Sequence, residues 1–193
     1  MTTRVLQVLV EEWELGCCGG PVHPGDRVEW SLTFSDRVED AAGALLTETW
    51  LITDLPSASL GWSASLLTSG SVQAAWAADG GRTLPIGTHQ MTGYLVASWH
   101  GGGVVADPPV VGGVVERIRV VEQRYELVHT PPADRPWAPG PWARGVFVPV
   151  PASAELTAVE VADGRDSGHA LPAPGDTSYR TRSGWLVDLA VER

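Results

Sequence analysis

At 193 residues the chain has the length of one large domain or two small ones, long enough to bury a core and stand as a stable monomer. Thirteen basic residues against 23 acidic ones leave a formal net charge of -10, which repels a phosphate backbone and, with no clustered Lys/Arg run, excludes nucleic acid and anionic membrane surfaces as expected partners. Hydrophobic residues at 44% and charged residues at 19% exclude wholesale disorder, and no run of about 18 apolar residues is present to form a transmembrane helix.

Twenty-two Gly and 15 Pro are spread along the whole chain, cutting it into short segments in the manner of an all-β domain. Val5 to Val10 reads as a strand, and Glu11-Glu12 follow before a signal-peptide core could be completed. A cytoplasmic setting with reduced thiols is therefore expected. Leu6, Val8 and Val10 share one parity whereas Trp13 and Leu15 take the other, which predicts a bulge or sharp bend near Glu11-Glu12. Arg27 to Phe34 alternates cleanly, with Val28, Trp30, Leu32 and Phe34 on the buried face.

Ala44 to Leu55 carries Leu46, Trp50 and Ile52 on one face and Leu45 and Leu51 on the other, the pattern of a strand covered on both sides. Ser57 to Ala78 fits short strands or a helical turn equally well. Thr88 to Trp99 aligns Met91, Leu95, Ala97 and Trp99. Val114 to Val128 repeats the parity switch, with Ile118 and Val120 followed by Tyr125 and Leu127 on the opposite face. Two long, bent strands point to a strongly bent antiparallel sheet or a small barrel.

From His129 to Trp142 five prolines remove backbone donors and rule out a ladder or a helix. This divides the chain into a barrel-like core over 1–128, a Pro/Trp-rich connector over 129–142, and a C-terminal β extension over 143–193 that packs on the core. In the extension Thr157, Val159 and Val161 alternate, and Trp185 to Val191 forms a closing apolar strand. A tail of that size is marginal alone, so docking is expected.

Cys17 and Cys18 are the only thiols. In an extended chain their side chains point to opposite faces, so both reach one ion only if the Gly19-Gly20-Pro21 turn folds around it. A disulfide within the pair falls far from ordinary disulfide geometry. His23 is close enough in sequence to converge with them, and His100, beside Gly101-Gly102-Gly103, could arrive from a distant loop. Cys17, Cys18, His23 and His100 are thus the candidate metal set, for zinc or another transition metal. His89 cannot join His100, because a strand between them spans about 36 Å. The spacing matches no zinc signature, no cofactor is expected, and the reading adopted for the cysteines is that of small buried hydrophobes filling a turn.

Nine tryptophans can supply stacking faces. Trp30, Trp50, Trp99 and Trp185 fall at core positions, which leaves Trp137 and Trp142, with His100, as candidate ligand contacts. Glu11, Glu12, Glu14, Glu155 and Glu160 read as solvated faces and support no glycosidase-type carboxylate pair. Gly-x-Ser-x-Gly, His-Glu-x-x-His and Walker motifs are absent.

The run Trp13-x-x-x-Cys17-Cys18-Gly19-x-Pro21, followed by Gly25-Asp26-x-Val28-x-Trp30, resembles the opening of a family of uncharacterised actinobacterial proteins. The resemblance extends through Trp99-His100-Gly101, Gly113-Val114-Val115-x-x-Ile118-Arg119-Val120-Val121 and Gly184-Trp185-Leu186-Val187-Asp188-Leu189. Where members of that family read Pro-Phe and His-His, this chain has Pro21-Val22 and Trp99-His100. The resemblance implies a domain of unknown function and nominates Cys17, Cys18 and His100 as a group. The expected function is non-catalytic binding of a small molecule or a protein, with a homodimer as one form of the latter. The alternative is a metal- or thiol-dependent enzyme acting on a small molecule, centred on Cys17, Cys18 and His100.

Overall fold

The computed structural model describes residues 3–38, 41–55, 64–77, 83–99, 109–128, 146–164, 172–173 and 175–192. Among them the chain forms one short helix and ten strands: β1 (Thr3–Glu11), α1 (Glu12–Cys17), β2 (Arg27–Ser35), β3 (Leu46–Asp54), β4 (Ala64–Ser69), β5 (Val72–Ala77), β6 (Gly87–Ala97), β7 (Val110–Val128), β8 (Val146–Pro149), β9 (Glu155–Val159) and β10 (Ser178–Glu192). The strand order β10-β1-β6-β3-β4-β5-β2-β7, with β7 returning to β10, closes an eight-stranded barrel. The expectation of an all-β barrel is thereby met. Closure gives each of these strands a partner on both sides, which removes the exposed edges an open sheet would present.

The alternation of apolar residues decides which face turns inward. Leu6, Val8 and Val10 of β1, Trp30, Leu32 and Phe34 of β2, Trp50 and Ile52 of β3, and Trp185, Val187, Leu189 and Val191 of β10 share one buried cluster. Trp50, Trp76 and Trp185 are at most 1% exposed, and Phe34 meets Trp50 edge to face at 5.6 Å. Each such ring removes about 200 Å² from water, a gross contribution on the order of 5 kcal/mol. The tryptophans expected in the core are there, with Trp99 half-buried against Trp30 at 6.0 Å.

β7 is the longest strand, and one of its edges pairs with β10 over residues 114–126. Its other edge is shared in succession by β2, β9 and β8. The chain beyond the connector therefore contributes a full barrel stave in β10 and two short strands that lengthen the wall beside β7.

Three sequence expectations need correction. Residues 12–17 do not continue β1 around a bulge; the strand stops at Glu11 and α1 begins, so Trp13 is 55% exposed. β3 is covered on one side only, since Leu45 and Leu51 stand 49% and 48% exposed. The described part of the ambiguous 57–78 stretch is the β4–β5 hairpin, turned at Gly70 with a positive φ of 61°. Among the described residues no helix is long and apolar enough to cross a membrane.

Candidate functional site

β1 ends where Val10 fills the barrel, and α1 turns back from it so that Glu12, Glu14 and Leu15 are buried. The reading of these carboxylates as solvated is thus overturned, because a helical turn aims them at the barrel wall. Glu12 is 2% exposed; its Oε1 accepts from Nε of Arg182 at 2.9 Å and also from the NH2 group of the same guanidinium. That guanidinium lies 5.0 Å from the ring centroid of Trp185, a cation over an aromatic face. Glu14 accepts from Ser98 Oγ at 2.9 Å and from the Trp99 backbone N–H at 3.1 Å, which anchors the end of β6 to α1.

Between α1, the 41–44 turn and the outer faces of β7, β8 and β10 lies a cavity of about 460 Å³, lined by Trp13, Tyr94, Gln123, Tyr125, Phe147, Tyr179, Thr181 and Arg182 among others. Tyr125 stacks on Tyr179 at 5.4 Å, and Phe147 meets Tyr179 edge on at 4.8 Å. An adjoining cavity of about 320 Å³ shares Ala42 and Gln123 and is walled by Val38, Leu45 and Leu156. Those three apolar residues are 39–49% exposed. Gln123 stands where the two cavities meet. It is 5% exposed, and its amide forms no side-chain hydrogen bond among the described residues. The Oγ1 of Thr181, also on the groove wall, is buried with no hydrogen-bond partner among the described residues.

The cysteine turn is a separate feature. Cys17 is the last residue of α1 and Cys18 its C-cap; both are exposed thiols, not joined in a disulfide. The reading of the pair as buried hydrophobes is corrected, and so is the reason given for keeping the sulfurs apart. A helix end, unlike an extended strand, places both on one side, with the Cys17 Sγ donating to the Cys18 Sγ at 2.8 Å. This hydrogen bond, aided by the negative charge nearby, pushes the Cys17 thiol up to about 11. A thiol that keeps its proton at neutral pH is a poor nucleophile.

His23 occupies the next turn, where its backbone N–H donates to Asp26 Oδ2 at 2.7 Å and its Nδ1 lies 3.4 Å from the same carboxylate. Among the described residues no group of three or more His, Cys, Asp or Glu is placed to hold a metal ion. Cys17, Cys18 and His23 therefore do not by themselves make a ligand set. His100, Trp137 and Trp142 lie outside the described residues.

Sequence reasoning missed Gln123, Glu12 and Arg182. Gln123 left one usable signal, since it shares its parity with Val121 and Tyr125 beyond the break in β7. Nothing in the spacing ties Glu12 to Arg182, 170 positions apart.

The geometry defines a closed β-barrel domain with an aromatic, partly charged groove on its outer wall. The model of a family of unknown function, DUF6578, matches residues 4–191, and the chain belongs to that family. No curated protein and no solved structure matches it.

Proposed function

We propose that this is a small-molecule-binding barrel domain whose ligand site is the outer groove around Gln123. The amide of Gln123 carries the reading. A buried amide costs free energy unless its donor and acceptor are satisfied, and this one faces two cavities instead of a protein partner. A primary amide offers one acceptor beside two donors, which complements a ligand edge bearing the reverse pair, such as a lactam or carboxamide. The ring faces of Trp13, Tyr125 and Tyr179 suit a planar body on that edge, and the apolar second cavity suits a substituent on it. The exposed thiols are in keeping with a reducing, cytoplasmic setting.

Saturation-transfer NMR with a fragment set of planar lactams and aromatic carboxamides tests this reading. Fragments that bind the intact chain and are lost in both Gln123→Leu and Trp13→Ala are expected. Binding that is indifferent to both substitutions, or no binding by any fragment, refutes it.

A further inference from the structure

We propose that Cys17 and Cys18 form a reversible dithiol–disulfide site that exchanges with low-molecular-weight disulfides. The inference is independent of the groove. Three features of the turn carry it. The sulfurs are 2.8 Å apart, so little movement separates them from the bonding distance of about 2.05 Å. Both residues are exposed, so a small disulfide can reach them. The backbone that holds them is fixed, because the N–H groups of Cys18 and Gly19 both donate to the Glu14 carbonyl at 3.1 and 3.3 Å. A Cβ on Gly19 would lie 2.6 Å from Leu15 Cδ1 and 3.0 Å from Leu15 Cα, so a side chain at that position would crowd the end of α1.

The adjacency of the two residues sets the character of the bond. Consecutive Cα atoms are about 3.8 Å apart, below the range of about 4.4 to 6.8 Å that relaxed disulfides span. The ring is therefore strained and readily reduced, which places it with labile exchanging disulfides and apart from structural ones.

Exchange begins at the Cys18 sulfur, which accepts the Cys17 S–H. As a thiolate it attacks one sulfur of the incoming disulfide, and the first thiol leaves and takes a proton. Cys17 then gives up its proton to solvent, and its sulfur attacks the Cys18 sulfur of the mixed disulfide. The intramolecular S–S bond forms and the second thiol departs. Two electrons and two protons pass in all from the pair to the small disulfide, yielding two small thiols.

Glutathione disulfide is the probe, and intact-mass spectrometry of the full chain is the readout. The wild type is expected to lose the mass of two hydrogens, to show a link confined to the peptide containing residues 17 and 18, and to regain its mass with dithiothreitol. Cys17→Ser and Cys18→Ser, each with one thiol left, are expected to retain a single glutathione adduct. The proposal is overturned if the wild type accumulates glutathione adducts without losing hydrogens, couples to a second chain, or fails to react. The wild-type arm decides the matter even if either variant folds poorly.

Discussion

Replacing Gln123 by Leu separates what the groove costs from what it does. The amide is 5% exposed without a side-chain hydrogen bond among the described residues, and its polar atoms are not sealed from solvent, so its withdrawal from bulk water costs about 1–3 kcal/mol before the water that reaches it is counted. Leu removes that penalty and keeps most of the volume. Water entering the two cavities offsets part of the penalty in the native protein, which brings the expected gain to about 1–2 kcal/mol. For a chain of this size that corresponds to a rise in Tm of roughly 2–8 °C. Urea denaturation followed by circular dichroism is the assay: the midpoint should rise with the m-value unchanged. The same variant should lose fragment binding, as expected where a binding site is retained at the expense of stability. A midpoint that falls by the equivalent of about 1 kcal/mol or more would show the amide to be a structural partner and sink the argument.

Arg182→Met should destabilise by about 2–4 kcal/mol in the same assay, because it leaves the buried carboxylate of Glu12 without its cation; adding Glu12→Gln should recover much of the loss. Gly164→Ala should cost about 1–3 kcal/mol, since a Cβ there would sit 2.3 Å from the Gly16 backbone nitrogen, whereas Gly20→Ala, in open space, should cost far less. Alkylation of Cys17 by iodoacetamide should reach half its limiting rate near pH 11 in the wild type and shift toward the ordinary 9.0 in Cys18→Ser, because Cys18 is the largest cause of the raised value. A thiol that holds its proton more tightly when folded favours the fold below about pH 9, and that contribution disappears as pH rises through about 11. Denaturation midpoints across this window should therefore fall further in the wild type than in Cys18→Ser.

The barrel was legible because its signal is local. Trp30, Leu32 and Phe34 announce a half-buried strand by alternation alone, whereas β10 shows itself as a near-continuous apolar run, buried on both faces from Gly184 to Leu189. The helix was hidden by its length: the six residues of α1 give less than two turns, too few for a 3.6-residue stripe to outvote a period of two. Trp13 and Leu15 accordingly read as a strand whose face had switched. The burial of Glu12 and Glu14 was equally hidden, because a carboxylate goes inside only when a partner meets it. Those partners, Arg182 for the first and Ser98 and Trp99 for the second, come from β10 and the end of β6. The cysteine pair was found by composition, but its geometry depended on the helix end that the pattern did not show.

The parity breaks had more to say than curvature. β7 and β10 pair with two register shifts, one between Arg182 and Gly184 and one between Asp188 and Leu189. On β10 the odd residues Tyr179 and Thr181 line the outer groove, whereas beyond Ser183 the odd residues Trp185, Val187 and Leu189 enter the barrel. On β7 the odd residues Val111 and Val115 face inward, and past Glu116 it is Ile118 that does so. Val121 and Gln123 are left on the outer wall. Each extra residue moves a strand's side chains to the other face, so the two bulges together bring Gln123 and Tyr125 alongside Tyr179 and Thr181. Gly184 makes the bulge at Ser183 feasible, for its φ of 154° and the approach of the Val10 carbonyl, 2.2 Å from where a Cβ would stand, leave no room for a side chain. One barrel wall thereby serves the tryptophan core at one end and an aromatic groove at the other; the switch read in the sequence between Val120 and Tyr125 falls where β7 pairs without a break from Arg117 to Glu126, and the bulges that build the candidate site lie instead at Glu116 and Ser183.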